Sequence, residues 1–460
     1  MRNQGTNQSM RKILWWAIPI VVLLVIYIGG AIHYQNKFLP KTEIFGIKIA
    51  GKTTTQANST LKDNIKTTKY TFKDGSKTVT TATGAEIGMS KDFGGMLTTV
   101  KNSQNAWSWP IHLFTKPTAS LSKATAIIND DTLNQFSTST AAKLNKNRVA
   151  PRDAALSFKN GKLVTTREHK GNLISATKLT STIKKSVLAD QNTVNLKKTY
   201  VTPQVTTSMK SFKNLKTKLT KIANVSGTFK IENKEVKVSK AEVQSWIDIK
   251  GTTMTISKSK IDNYLTSIDH KYGTYYKTRH FKSTASGTVD VPAGIYGWTV
   301  NHTKEIPVLV SAVKAGKTFH KDIIHKGMGY HADGSDIGNT YIEVDKQNQM
   351  EYYYKDGKMV MSSAVDTGNP NKGHATPSGV FDVWSKQRNA ILKGQGYSQP
   401  VSYWMPINDT GVGLHDSPWQ PQYGGSWYLS HGSHGCVNNP PAFIAKLYPQ
   451  VALGTPVVVF

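Results

Sequence analysis

The longest unbroken apolar stretch comes first: Ile13 to Tyr34 reads ILWWAIPIVVLLVIYIGGAIHY and holds no charged side chain. Crossing the hydrocarbon core as a helix takes about 20 apolar residues, so this stretch is long enough. Trp15, Trp16, Tyr27 and Tyr34 fall towards its ends, where interfacial aromatics collect, and Arg2, Arg11 and Lys12 precede it. Basic residues on that flank predict a cytoplasmic tail over 1–12, a transmembrane helix over 13–34 and everything beyond outside the cell. A cleaved signal peptide is the competing reading. The run is longer than an ordinary signal core and lacks a clean small-x-small cleavage site, which favours an uncleaved single-pass anchor.

Beyond the anchor the pattern becomes polar and short-ranged. Tyr70–Thr81 (YTFKDGSKTVTT) reads as a hairpin turning at Asp74-Gly75, and Gly227–Ser239 (GTFKIENKEVKVS) has the same form, which hints at an internal duplication. Ser239-Lys240-Ala241-Glu242 has the capping-box spacing and predicts a helix through Val243 and Trp246. Ser259 to Asp262 predicts another, through Ile261, Tyr264 and Leu265. Pro203 and its polar neighbours suit a boundary. After residue 337 the texture changes. Tyr341–Asp345, Gly379–Trp384, Val401–Ile407 and Thr455–Phe460 read as strands, and Glu351–Val365 as a hairpin turning at Asp356-Gly357. One helix is expected from Pro440-Pro441 through Leu447, capped by Asn438 or Asn439. The expected organisation is α+β: a domain over 35–204, a second over 205–337, and a mainly β, sandwich-like domain over 338–460.

Charge narrows the partners. The chain has 460 residues, with 58 Lys+Arg against 29 Asp+Glu, a net charge of +29. Such a surface attracts polyanions. The lysines are spread among Thr, Ser and Asn, and no nucleic-acid motif accompanies them, so an anionic cell envelope fits and nucleic acid does not. Cys436 is the single cysteine. An exported chain with one cysteine forms no internal disulfide, which leaves a buried inert residue or a reactive thiol.

The stretch Gly413–Pro440 (GLHDSPWQPQYGGSWYLSHGSHGCVNNP) holds that cysteine with His415, His431 and His434. An imidazole can take the proton from a thiol and so create the nucleophile. If Ser433–Val437 is extended, His434 and Cys436 share a face. Gly435 would then let substrate approach the backbone, and its N–H with that of Cys436 would form an oxyanion hole. A zinc site is the rival use of these side chains, but their separations match no standard zinc pattern. His431 reads as a surface or supporting residue. Trp419 and Tyr403 fit a core or a groove equally, and Gly424-Gly425 fits a plain turn or a lid hinge.

Ser433-His434-Gly435-Cys436-Val437-Asn438, with His415 upstream in Gly-Leu-His-Asp, resembles the signature of the L,D-transpeptidases (YkuD fold), which cross-link peptidoglycan. Thr367-Gly368, Thr376-Pro377-Ser378-Gly379, Tyr403-Trp404-Met405-Pro406 and Gly454-Thr455-Pro456-Val457 add to it. The combination most resembles the enterococcal and lactobacillar type. Phe38 to Ala57 and the middle of the chain resemble the peptidoglycan-binding domains that precede the catalytic domain there. The resemblance implies Cys436 as the acylated nucleophile and His415 as base and later acid, its ring oriented by the backbone carbonyl of Asp416. It implies His434 and Gly435 in the oxyanion and acyl pocket, and Ser433, Asn438, Trp419 and Tyr403 along the substrate groove. It implies stem peptides and glycan as partners, no cofactor, inhibition by carbapenem-type β-lactams, and the outer face of a Gram-positive membrane as location. Many members carry Gly where Asp416 stands and Arg where Asn438 stands; neither departure touches the nucleophile–base pair.

Overall fold

The structure is a computed structural model that describes residues 7–460 except 65–66, 90–91, 119–127 and 395–396. Arg2 lies outside the described residues, as do the side chains of Arg11, Lys12, Trp15 and Trp16. The apolar run forms a helix, Asn7–Gln35, and Ile18–Gln35 is long and apolar enough to cross a membrane by length and composition.

Contacts divide the chain into two compact units: Met1–Ala155 with Thr166–Met209, and Leu156–Thr165 with Lys210–Phe460. In the first, the hairpin Lys69–Asp74 and Lys77–Thr83 turns at Gly75, whose φ is +68°, and Thr193–Asn195 runs parallel to its first strand. In the second, Gly227–Ile231 pairs with Lys234–Val238, and Phe319–Asp322 lies parallel to Gly227–Ile231. Both sheets thus have one order: a hairpin, with a later strand alongside its first. Alternation sets which side is buried. Tyr70 and Phe72 fill the first core, Phe229 and Ile231 the second.

Ser239 caps the helix Lys240–Ser245 by accepting from the Glu242 N–H at 3.1 Å. The helix Lys258–Tyr272 starts earlier than its sequence indicated. Ser257, extended at φ −76° and ψ 108°, is the cap, and Ser259 lies inside the first turn. The C-terminal helix Pro441–Leu447 also departs from expectation. Its cap is Pro440, with no side-chain hydrogen bond, because Asn438 and Asn439 are held in a strand.

The C-terminal part is β-rich. Its strands are β1 (Tyr341–Asp345), β2 (Met350–Lys355), β3 (Lys358–Ala364), β4 (Gly379–Asp382), β5 (Gln387–Gly394), β6 (Tyr397–Pro406), β7 (Gly413–Asp416), β8 (Val437–Asn439) and β9 (Pro456–Val459). One sheet has the order β3-β2-β1-β9-β4, the other β5-β6-β7-β8. Pairing is antiparallel except β1 with β9 and β7 with β8. Ile342, Val344, Val457 and Val459 from the first sheet meet Met405, Leu414 and Val437 from the second, with Ile444 and Leu447 of the helix in the same core. The opposite face of the first sheet is also covered: Val380 and Val458 pack on Phe281, Val291 and Tyr296. Glu343 and Asp345, the polar positions of β1, are therefore buried, and take hydrogen bonds from Thr284 and Ser286.

Candidate active site

The second sheet builds the site as a row. Register places Trp404 of β6 beside His415 of β7, and His415 beside Asn438 of β8. His415 is buried, with Nδ1 2.8 Å from the backbone oxygen of Asp416. A carbonyl oxygen can only accept, so Nδ1 carries the proton and Nε2 keeps its lone pair. Burial pushes the imidazole below its ordinary range, against the opposing pull of the Asp416 carbonyl and charge, so the ring is neutral. The Asp416 carboxylate is occupied elsewhere. It accepts from the N–H groups of Ser402 and Tyr403 at 3.0 and 2.8 Å, which ties β6 to the end of β7.

Cys436 stands just before β8 and is half-buried. Burial pushes its thiol up to about 11, partly offset by the Gly413 N–H that reaches the sulfur. The thiol lies 3.6 Å from the Gly411 carbonyl. That carbonyl sits in a turn made by Asn408, whose Oδ1 accepts from Thr410 and Val412 N–H groups. Sequence reading passed over this turn; only an Asn in a Gly-containing loop marked it.

The approach to Cys436 is a bend, not the extended segment expected, and Gly435 takes φ +126°, a conformation few side chains tolerate. Ser433 Oγ accepts from the Gly435 N–H at 3.0 Å and donates to the Cys436 carbonyl at 2.6 Å. The Gly435 N–H is therefore engaged within the bend instead of being offered to substrate. Thr376 locks the other side: its hydroxyl donates to the Gly435 carbonyl and accepts from the Gly368 N–H, both at 2.8 Å. Thr367-Gly368 and Thr376, legible only as motif fragments, act here as a brace behind the nucleophile. His434 is exposed, its ring 4.5 Å from that of His374.

A cleft of about 230 Å³ runs past these groups. Leu392 and Gln399, cross-strand partners of the β5–β6 hairpin, form one wall. The segment 417–432 forms the other. Trp419 lies over His415 with ring centroids 5.9 Å apart, and His431 stacks on Trp427 at 3.7 Å. His415, Cys436, His434, Ser433, Asn438 and Trp419 all line the cleft. Tyr403 does not: β6 turns its ring to the other face, against Tyr448 and beneath the Arg388 guanidinium. Gly424 pins the wall by donating to the Val365 carbonyl and to Asp366 Oδ1. Gly424-Gly425 is thus an anchored turn.

Residues 339–459 match the family described as L,D-transpeptidase catalytic domain (YkuD), and residues 206–320 one described as a proposed peptidoglycan binding domain. A curated relative, L,D-transpeptidase 1 of Mycobacterium tuberculosis, is 26% identical over 115 residues, which are 23% of this chain and 44% of that protein. The chain thus spans less than half the length of that relative. A crystal structure of a cysteine-to-serine variant of Enterococcus faecium L,D-transpeptidase is 40% identical, covers 54% of this chain and 100% of its own, and superposes with a TM-score of 0.47. The catalytic domain from E. faecium L,D-transpeptidase acylated by ertapenem is 52% identical over 27% of this chain and 98% of its own, with a TM-score of 0.25.

Proposed function

Residues 339–459 belong to the YkuD family of L,D-transpeptidase catalytic domains, with a peptidoglycan-binding domain upstream, and from this we propose that the chain cross-links peptidoglycan through a thioester on Cys436. One observation carries the reading. His415, fixed through Nδ1–H to the Asp416 carbonyl, keeps a free Nε2 lone pair in the cleft that holds the only thiol of the chain.

Both partners are neutral at rest, since burial raises the thiol and lowers the imidazole. The proton therefore leaves sulfur as sulfur attacks: Nε2 takes it while Sγ bonds to the carbonyl carbon of the third residue of a tetrapeptide stem. Collapse of the tetrahedral adduct expels D-Ala, whose amine takes the proton back from His415. An amine of a neighbouring stem then attacks the thioester, gives its proton to His415, and the thiolate leaves and is reprotonated. Ser433, Thr376 and Gly368 position the bend. Trp419 and the β5–β6 hairpin shield the thioester from water, which favours an amine acceptor over hydrolysis. A carbapenem acylates Cys436 by the same attack. The helix at the N-terminus anchors the enzyme to the membrane with the catalytic domain outside, and the domains over 35–204 and 205–337 engage or span the wall.

The test mixes a disaccharide-tetrapeptide donor with an amine-bearing stem and follows products by mass. A dimer joined through the donor's third residue supports the transpeptidase. Tripeptide alone, with acceptor in excess, makes the enzyme an L,D-carboxypeptidase and overturns the proposal.

A further inference from the structure

The first unit carries an exposed apolar surface that no part of the catalytic reading uses. It is the segment Ala106–Thr115, AWSWPIHLFT, folded as a 3-10 turn (Ala106–Ser108) and a helical turn (Trp109–His112). Trp107, Ile111 and Phe114, at helical spacing, are 52%, 62% and 82% exposed. Leu113 is exposed beside them. Four large apolar side chains facing water together mark a contact surface rather than ordinary surface scatter.

What covers it follows from its neighbour. The segment packs on the helix Asn7–Gln35, near the end that leads into the first unit. Tyr27 Oη donates to the Trp107 carbonyl at 2.9 Å, Trp109 Nε1 donates to the Tyr27 carbonyl at 3.0 Å, and the Trp109 ring stacks near Tyr34. A Cβ on Gly30 would meet the Trp109 indole at 2.2 Å, so glycine makes the close approach possible. Eight residues separate Tyr27 from Gln35, about 12 Å along the helix at about 1.5 Å each. The segment therefore reaches some way down the helix. If Gln35 lies at the headgroup surface, Tyr27 lies near the headgroup–acyl boundary, because the polar layer on each side is only about 5–8 Å thick.

The backbone is suited to that environment. Leu113, Phe114 and Thr115 donate their N–H groups within the segment, Ser108 donates to the Asn105 carbonyl just before it, and Pro110 has none to satisfy. Ser108 and Thr115 hydroxyls donate back to Asn105 and Ile111 carbonyls. The segment is also held from behind. Lys41 Nζ donates to the Phe114 carbonyl, Lys116 pairs with Glu43, and Gln104 bonds Leu39 and Thr42. Its apolar face is thus presented on a fixed frame, with basic groups at the edge where lipid phosphates would lie.

We infer that Trp107–Phe114 is a second membrane contact: an interfacial foot, inserted in the outer leaflet beside the anchor, that fixes the first unit against the bilayer. The occupant is phospholipid, because the exposed Trp107 ring lies against the exposed Tyr27 ring of the spanning helix, with centroids 5.6 Å apart. The inference rests on reading Ile18–Gln35 as a membrane span, and the experiment separates the two.

The full chain, with Cys436→Ala to remove the native thiol, receives one new cysteine in each of three variants: Phe114→Cys, Leu24→Cys and Val149→Cys. Each is labelled with an environment-sensitive fluorophore and reconstituted in phosphatidylcholine–phosphatidylglycerol vesicles. Phe114 and Val149 are exposed, so their replacement removes no core packing. Quenching is read with iodide in the buffer and with lipids carrying a nitroxide high on the acyl chain. The expected result is that the Phe114→Cys label loses more than half its emission to nitroxide lipid and resists iodide, while the Val149→Cys label does the reverse. If the Leu24→Cys label is lipid-quenched but the Phe114→Cys label behaves like Val149→Cys, the anchor stands and the foot is refuted. Shielding of the Phe114→Cys label from both quenchers means that protein covers the patch, which also refutes it. If the Leu24→Cys label is not lipid-quenched, the anchor reading fails and the foot falls with it.

Discussion

A half-buried thiol that shares a cleft with a neutral imidazole behaves differently from a thiolate–imidazolium pair, and pH exposes the difference. The Cys436 thiol is pushed up to about 11, so its alkylation by iodoacetamide should keep rising beyond pH 9 and level off only above about pH 11. A plateau near pH 7 would mean a preformed ion pair. Turnover should follow the base instead. His415 lies below its ordinary range, so activity is lost only as acid protonates Nε2, and stays flat through neutral pH. His415→Ala should slow acylation by about 10²–10⁴, the usual worth of a general base, and Cys436→Ala should abolish labelling by a carbapenem, read by intact mass. If His434→Ala were inactive and His415→Ala nearly silent, the base would be misassigned. These two residues were legible because their chemistry depends on residue type. The bend was not: Ser433 and Gly435 read as parts of an extended strand, and only the two hydrogen bonds of Ser433 Oγ show that the Gly435 N–H is taken. Tyr403 failed differently. Alternation along β6 gives two faces, and the sequence does not say which one the cleft uses.

Elements and their joints carry the next level of control. Gly424 holds the wall of the cleft with φ +87°, and a Cβ there would come within 3.1 Å of Ala364; at Gly425, φ +60°, there is open space. Gly424→Ala should therefore lower kcat/KM and the unfolding midpoint more than Gly425→Ala, whose cost is limited to about 1–2 kcal/mol of left-handed backbone. Equal effects would remove the anchoring role. Beneath the same region Glu351 of β2 is buried, and burial pushes its carboxyl up to about 8 against the opposing pull of the Asn439 side chain. Below about pH 4.5 both folded and unfolded chains hold that proton and no pH effect arises. As pH rises towards 8 the unfolded chain releases it and the folded chain does not, so stability declines across that window. Glu351→Gln should be more stable than the parent at pH 8 in urea unfolding, with the gain vanishing near pH 4.5. A constant gain would show that the carboxyl is not the cause. Strand positions were readable from alternation, as in β1 and β9, but the burial of Glu343 and Asp345 was not. A second layer of protein covers polar positions that alternation alone assigns to water.

The whole molecule couples a net charge of +29 to one N-terminal apolar helix. On the proposed topology, protease added to intact protoplasts should digest most of the chain, and protection beyond about residue 40 would reverse it. The two hairpins were visible in the sequence as repeated Thr-Phe-Lys segments, but the later strand alongside each and the partition of the chain were not. Nothing local in Leu156–Thr165 says that it sides with residues after 210; a single long-range bond helps to show it. Gln244, buried in the second unit, donates one amide hydrogen to the Gly161 carbonyl at 3.1 Å and another to the Ala223 carbonyl at 2.8 Å. The chain thus passes between its units three times, at 155/156, 165/166 and 209/210. The Leu156–Thr165 stretch lies in a hairpin of Ala155–Lys159 and Lys162–Thr166, and a fragment that begins at residue 210 leaves it behind and strips Gln244 of one acceptor. It should unfold at a lower denaturant midpoint than one that begins at residue 156, and equal midpoints would make the hairpin dispensable. The same threading bears on ancestry. Recombination moves protein parts as contiguous text, so the catalytic end can be transplanted alone, but the unit that contains it can be inherited whole only if the piece reaches back into its neighbour's stretch of the gene.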